Sequence, residues 1–387
     1  MTNQSEQQVD FFNQFETHFC IVSDQAAANL LPIVYFKPAH LVLLVSKEMR
    51  ERGVATDFEN AVRFASPSTR VEVEDWPETE DLEAMRSFVF ELLVKHEGNK
   101  PIVNVTGGTK LMSFSALTAA WGAEVPAYYF SENNTVSIIR SGSGGNTQKV
   151  ASLHVRLSLK NYLAAYGYEA SQTLTPALSA GERETAESII SQASMKEVVP
   201  IMNALAVAAE KQNQLMADPS PFNLSGAKKQ AFDTLCDYYE KAGHIRFMGA
   251  KLCFPTQEDR FYVAGGWLER YVYGVLDSIG VKPLANLIVQ RKVKNEIDTA
   301  FMHDGTFYIV ECKTSNLSAA KDANDVIYKL ETLRKVGGKK TGLVLVSFRD
   351  IHPEALKRAN TVGIKVIQGA QLKTLTNQFR QYIRGAV

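Results

Sequence analysis

The chain has 387 residues, of which 45% are hydrophobic and 22% charged, and its 42 Lys and Arg balance 42 Asp and Glu. That composition fits two or three globular domains and excludes a disordered chain or a uniformly basic nucleic-acid coat, so any affinity for nucleic acid must come from a local patch. No apolar run approaches the ~20 residues that span a bilayer, the polar and acidic start MTNQSEQQVDFFNQFE reads as no secretory signal, and Cys20, Cys236, Cys253 and Cys312 form no zinc spacing, which together fit a reducing cytoplasm.

Residues 18–141 alternate short apolar runs with amphipathic stretches. HFCIVS, HLVLLVS, RVEVEDW, PIVNV, VPAYYF and TVSIIRS read as strands, with helices near Asp24–Leu31, Lys47–Phe64, Glu80–Glu97 and Thr109–Trp121. The alternation predicts an α/β unit over 1–157, Rossmann-like, with a largely parallel sheet. The last two runs have no helix between them and predict a hairpin, followed by a turn or short loop at Ser141–Asn146.

Two loops in this unit are candidate binding elements. Ligands of open α/β sheets sit outside the carboxyl ends of the strands. There the run Thr106-Gly107-Gly108-Thr109-Lys110 leads from a strand into a helix. The glycines allow close backbone approach, Thr109 can cap the helix, and Lys110 adds a positive charge where free N–H groups favour an anion. The run is neither a Walker A loop nor a G-x-G-x-x-G turn. A phosphate cradle and a purely structural turn both remain open. Ser23-Asp24-Gln25 ends the first strand and opens a helix in the same way, and it is expected nearby.

Residues 158–260 read as a helical connector. Leu159–Tyr168 is a short helix, Glu182–Lys211 is helical with Pro200 interrupting it, Ala217–Phe222 is a break, and Lys228–Ala242 is amphipathic and closed by Gly243. Ile245–Phe254 would suit a wing, but a spacer is the preferred reading.

Residues 261–387 hold the second constellation. NEIDTAFMHDGTFYIVECKTS (Asn295–Ser315) reads as a hairpin about Asp304-Gly305, a two-residue turn signal. Pairing His303 with Thr306 places Asp298 opposite Glu311, with Lys313 on the same face. Directly opposed Cβ atoms are ~5 Å apart and like charges there repel. The cluster is either a surface ion-pair group or a site for a divalent cation. The apolar run Phe307–Val310 before Glu311 favours burial, and so the metal. Cys312 points to the other face, as core. A helix through Asn324–Val336 and a strand at Thr341–Phe348 follow.

Asp298 followed by Glu311-x-Lys313 resembles the PD-(D/E)xK nuclease fold, with Ile297 where the naming proline would stand. Gly265-Gly266-Trp267-Leu268-Glu269 fits the family's preceding helix, which implies Glu269 as a third acidic residue. Thr106–Lys110 with Ser23–Gln25 resembles the ligand loops of the CARF sensor domain. The order of the two resembles the cyclic-oligoadenylate-activated ancillary nucleases of type III CRISPR defence. The resemblance implies an N-terminal CARF domain (1–157), the connector (158–260) as a lever and a restriction-endonuclease-like domain (261–387). It implies Mg²⁺ or Mn²⁺ on Asp298, Glu311 and Glu269, with Lys313 catalytic and Tyr328 and Lys329 as weaker substrate contacts. It also implies cyclic tetra-adenylate bound by Ser23, Asp24, Gln25, Thr106, Gly107, Gly108, Thr109 and Lys110, a DNA or RNA substrate, and a homodimer. Two alternatives stand beside it: a cyclic-oligoadenylate-sensing transcription regulator with an inactive nuclease fold, and an unregulated restriction or repair nuclease.

Overall fold

The computed structural model describes residues 12, 14–140, 147–172 and 177–385, so the turn expected at Ser141–Asn146 lies outside the described residues. Strands β1 (Thr17–Ile21), β2 (His40–Val45), β3 (Arg70–Asp75), β4 (Pro101–Asn104), β5 (Ala127–Phe130), β6 (Thr135–Ile139) and β7 (Thr147–Ser152) form one sheet in the order β3-β2-β1-β4-β5-β6-β7. Pairing is parallel from β3 to β5 and antiparallel from β5 to β7. β1 is buried throughout and β2 from Leu41 to Val45, the continuous apolar signature of a sheet covered on both faces. The chain leaves β1 in one direction towards β2 and returns on its other side with β4. Their carboxyl ends therefore flank a topological switch point.

The second sheet runs β16-β15-β14-β13-β12-β8, with β8 (Glu169–Gln172), β12 (Leu284–Gln290), β13 (Lys294–His303), β14 (Thr306–Lys313), β15 (Thr341–Ser347) and β16 (Ile364–Gln368). Helix Trp267–Ser278 covers one face, where Trp267, Leu268 and Val272 pack with Tyr308, Val310, Cys312 and Val346. Helix Ala320–Leu333 covers the other, where Ala323, Ile327 and Leu330 pack with Phe307, Ile309 and Leu345. That second core continues into the first sheet through Leu31, Tyr128 and Phe130, so the two units share apolar packing.

The stretch 158–260 is mainly helical, as expected of the connector, and adds short strands that the sequence did not show. β8 leaves it to become the edge strand of the second sheet. Helices Met195–Lys211 and Gly226–Lys241 flank β9 (Met216–Ala217), and β10 (Arg246–Met248) and β11 (Lys251–Cys253) fold back in the order β10-β11-β9. The β10–β11 hairpin stands where the sequence would suit a wing. Strands of two or three residues carry too little alternation to register as a period. Helix Met195–Lys211 runs through Pro200, and the break falls upstream, after Ser191.

Glu182 ties this module to the second sheet. Its carboxylate lies 2.9 Å from Arg270 and 3.5 Å from His244, and it accepts the Ser179 N–H at 2.8 Å. Burial alone would raise its pKa, but these partners outweigh it and hold the carboxyl at about 2. A carboxyl depressed on folding stabilises the fold above its ordinary value of 4.5, and that stability is lost as pH falls towards about 2. Melting curves of wild type and Glu182→Gln are therefore expected to differ at pH 7 and to converge between about pH 4.5 and 2. A gap that persists unchanged at the acid end contradicts this account.

Candidate functional site

The β13–β14 hairpin has the register its turn dictates. Asp304 (φ 43°) and Gly305 (φ 67°) both adopt left-handed conformations, and pairs run from His303–Thr306 to Thr299–Val310. The ladder ends one step short of the expected Asp298–Glu311 pair, and there the pleat changes. Ile297 and Ala300 lie in the same core layer, as do Leu284 and Leu287 on β12, although residues three apart on a regular strand face opposite ways. The β12–β13 pairing skips Asn286 opposite Asp298, and Asn286 has φ 49°. Asp298 is thereby turned so that its Oδ2 accepts the Cys312 N–H at 2.7 Å. The irregularity re-aims one carboxylate, a common use of a strand defect beside a reactive centre.

Glu311 is fully buried, with Lys313 Nζ 2.6 Å from its Oε1. Lys329, on helix Ala320–Leu333, donates to both of its oxygens at 2.8 and 2.9 Å. Glu269 enters from the opposite face, in the first turn of helix Trp267–Ser278. A π-turn at Tyr262–Gly266 leads into that helix, and Gly265 has φ 130°. A Cβ on Gly265 would lie 2.6 Å from Thr314 Oγ1, so only glycine lets this turn approach the strand so closely.

The carboxyls are mutually strained. Burial, then Glu311, push Asp298 above the usual carboxyl range against the pull of Lys313, the Cys312 N–H and Lys329. Burial, then Asp298, do the same to Glu269. Burial disfavours charge on Lys313, but Glu311 and Asp298 more than compensate and its pKa rises. The Cys312 thiol is driven far up by burial and by the same carboxylates, so it stays a protonated core group. Among the described residues no three His, Cys, Asp or Glu side chains are gathered as a preassembled ligand set. The donor chemistry nonetheless fits a hard divalent cation: Asp298, Glu311 and Glu269 offer mutually repelling carboxylates, Glu311 fully buried and the other two partly so. Lys329, expected as a weaker substrate contact, pairs with Glu311, and neither that pairing nor the Asn286–Asp298 distortion was visible to pattern reading, because both depend on how elements distant in sequence pack.

At the switch point, the β1 and β4 loops touch. A Cβ on Gly107 would lie 2.2 Å from the Ile21 carbonyl oxygen, and one on Gly108 (φ 84°) 2.6 Å from Ile21 Cγ2. Thr109 caps the helix by accepting from Met112 N at 3.3 Å, and Lys110 is exposed beside it. Beneath lies a buried amide pair missed in the sequence. Asn29 Nδ2 donates to the Ile21 carbonyl at 2.7 Å, and Asn104 Nδ2 donates to Asn29 Oδ1 at 2.8 Å. Asn104 Oδ1 accepts from Thr106 N and Oγ1 at 3.0 and 2.6 Å. The Thr106 hydroxyl also accepts from Phe130 N at 2.8 Å, so it braces the loop from inside. Asp24 forms a two-pronged pair with Arg52, at 2.6 and 3.1 Å. The side-chain oxygen of Gln25 accepts from Lys339 N at 3.2 Å, which joins this loop to the second domain.

A switch-point sensor sheet and a strand-end carboxylate–lysine cluster on a second sheet define a two-domain sensor and endonuclease. The chain joins a CARF domain of the Card1 type to a Card1-like endonuclease domain. Residues 17–162 match the family model for the Card1 CARF domain, and residues 256–386 match the Card1-like endonuclease domain. No curated protein matches the chain. Among solved structures it is similar to protein VC1899 from Vibrio cholerae, with TM-score 0.81, 21% identity and coverage of 96% of this chain and 98% of that one. It is similar to Can2 from Sulfobacillus thermosulfidooxidans in complex with cyclic tetra-adenylate, with TM-score 0.74, 23% identity and coverage of 97% and 99%. A type III CRISPR defence DNA nuclease activated by cyclic oligoadenylate aligns with TM-score 0.54, 17% identity and coverage of 90% and 52%. At these identities the likeness is one of fold. Among the described residues no helix is long and apolar enough to cross a membrane.

Proposed function

We propose that the protein is a nuclease of type III CRISPR defence, activated by cyclic tetra-adenylate and dependent on a divalent metal, that cleaves nucleic-acid phosphodiesters. The observation that carries this reading is the convergence of Asp298, Glu311 and Lys313 at one buried strand end, in a chain whose sensor loop bonds directly to the nuclease domain. The Can2 complex and the cyclic-oligoadenylate-activated DNA nuclease support the choice of activator and pathway. The regulator alternative, with a dead nuclease fold, is disfavoured because the set is intact and brought together.

Asp298, Glu311 and Glu269 would hold Mg²⁺ or Mn²⁺, which would supply acidification of the attacking water and charge neutralisation at the phosphate. Asp298 is oriented by the Cys312 N–H and Glu311 by its lysines. Lys313 keeps its proton, because Glu311 and Asp298 favour its charged form. In that state it can orient water or phosphate as a donor, and a cation on the same carboxylates would weaken the hold on its proton and let it help deprotonate the water. Cleavage of plasmid, single-stranded DNA and RNA, with each cyclic oligoadenylate and each metal, tests the reading. Activity that survives EDTA refutes the metal.

The activator ring would lie on exposed Gly108, Thr109 and Lys110 with the Ser23–Gln25 loop beside them. A ring with rotational symmetry suits two copies of that surface about a two-fold axis. Helix Lys110–Gly122 carries a stripe suited to such pairing, with Leu111 42%, Phe114 54% and Trp121 39% exposed. Light scattering is expected to report a dimer for the wild type and a monomer for Phe114→Glu. A wild type that stays monomeric with and without activator rules the dimer out.

A further inference from the structure

The winged module is fixed beside the nuclease site. Helix Met195–Lys211 packs on the π-turn that precedes Glu269. Thr314 Oγ1, next to Lys313, donates to the Asn203 side-chain oxygen at 2.9 Å, while the Asn203 NH₂ donates to the carbonyls of Val199 and Val263 at 3.2 and 3.3 Å. Behind that helix, Gly226–Lys241 buries Ala231, Phe232, Leu235, Cys236 and Tyr239 and turns its first residues outwards.

Charge is unevenly spread over this outward face. The first turns expose Lys228 and Lys229, of which Lys229 is paired with Asp233 one turn further on, and Ser225 makes no side-chain cap bond there. The uncapped end adds the positive pole of the helix dipole to two cations. The hairpin beside it exposes Arg246, Phe247 (43%), Met248 (57%) and Lys251. The two parts adjoin, since Lys251 lines one groove of about 400 Å³ with Asp218 and Phe222, just ahead of the helix. Asp233, Asp237 and Glu240 are exposed further along the helix. Phosphate would be repelled there, so only the helix start and the wing can face a polyanion.

We propose that this surface grips duplex DNA for the nuclease site, with the start of helix Gly226–Lys241 against the groove and the β10–β11 wing against the neighbouring backbone. The inference rests on the nuclease reading and deepens it. A helix end with a flanking β-ribbon matches the grooves of a duplex, whereas the acidic half of the helix prevents it from lying along a groove over its full length. Lys228, Arg246 and Lys251 supply phosphate contacts, which Lys229 joins by exchanging Asp233 for phosphate, and these position the duplex without reading its sequence. The exposed Phe247–Met248 tip adds apolar contact to sugars.

The test uses the full chain with activator, in the cleavage-silent Glu311→Gln background for binding and the active background for kinetics. The triple variant Lys228→Ala, Lys229→Ala, Arg246→Ala changes only exposed side chains. It is expected to bind duplex DNA about 10- to 100-fold more weakly, with a salt dependence shallower by about two to three phosphate contacts. KM should rise, with kcat and activator affinity unchanged. Unchanged duplex affinity and salt slope would overturn the proposal, as would a loss confined to single-stranded RNA. A wild type that cleaves no nucleic acid under any activator fails at an earlier step and takes the nuclease reading down with it.

Discussion

Glu311→Gln is expected to lower activated cleavage by about 10²- to 10³-fold or more, the scale seen when one preorganised electrostatic contact to a developing charge is removed. The substitution keeps shape and removes the charge that Lys313 and Lys329 share at 2.6 and 2.8 Å. It also removes one of the acidic donors that would hold the metal. Thermal stability should move far less. Lys313 and Lys329 are 30% and 48% exposed, so both ammoniums can turn to water once their common partner is neutral. The usual cost of orphaning a buried charge, about 3–5 kcal/mol, applies when the remaining charge stays buried. Lys313→Met should be nearly as damaging to turnover while retaining the stem that packs beside Glu311. Activator affinity should hold in both variants, because the activator loops lie on the other sheet. Turnover close to wild type in Glu311→Gln would remove the strand-end cluster from the chemistry.

The parts of the fold that were readable in the sequence are those with long periods and strong punctuation. The continuous apolar strands His40–Val45 and Thr306–Val310 announced two covered sheets, and Asp304-Gly305 set the register that runs to Thr299–Val310, one step short of Asp298 and Glu311. The glycine-rich turn at Thr106–Lys110 could be placed at a strand's carboxyl end, though only the structure shows Gly107 pressed against Ile21. Long-range features were not legible. β8 joins a sheet whose other strands begin more than a hundred residues later, and the two- and three-residue strands of the wing have no detectable alternation. The Asn29–Asn104 pair joins a helix to a strand, and neither asparagine is unusual in its own segment. Gln25 read as a ligand-loop residue, yet its side chain already accepts from Lys339, because a loop at the edge of one domain is also the seam with the next.

That seam sets the second large expectation: cleavage should rise about 100-fold on activator binding. The rise should fail when the sensor loop is detached from β1 or from the nuclease domain. A shift from 1% to 99% active needs about 5.5 kcal/mol of preferential binding to the active arrangement. One charged contact contributes about 1.5–3 kcal/mol, so several Lys110-like contacts from two subunits reach that scale. Lys110→Ala should therefore raise the half-activating concentration by about 10- to 100-fold and leave the maximal rate near wild type. Gly107→Val should abolish the response, since its first side-chain carbon falls 2.2 Å from the Ile21 oxygen and the loop cannot stay seated. Gln25→Ala tests transmission. The sensor reaches the nuclease through Lys339 N on Gln25 and through Tyr162 Oη, which donates to the Gly337 carbonyl at 2.8 Å. These contacts enter the segment just after helix Ala320–Leu333, the helix that places Lys329 on Glu311. The Gln25 contact gives the sensor a route into the nuclease domain beside the connector, to which Tyr162 belongs. Gln25→Ala should compress the ratio of activated to basal rate while Glu311 chemistry stays intact. Equal cleavage by the wild type with and without every cyclic oligoadenylate would leave an unregulated nuclease as the surviving reading, with the Gln25–Lys339 bond reduced to ordinary domain packing.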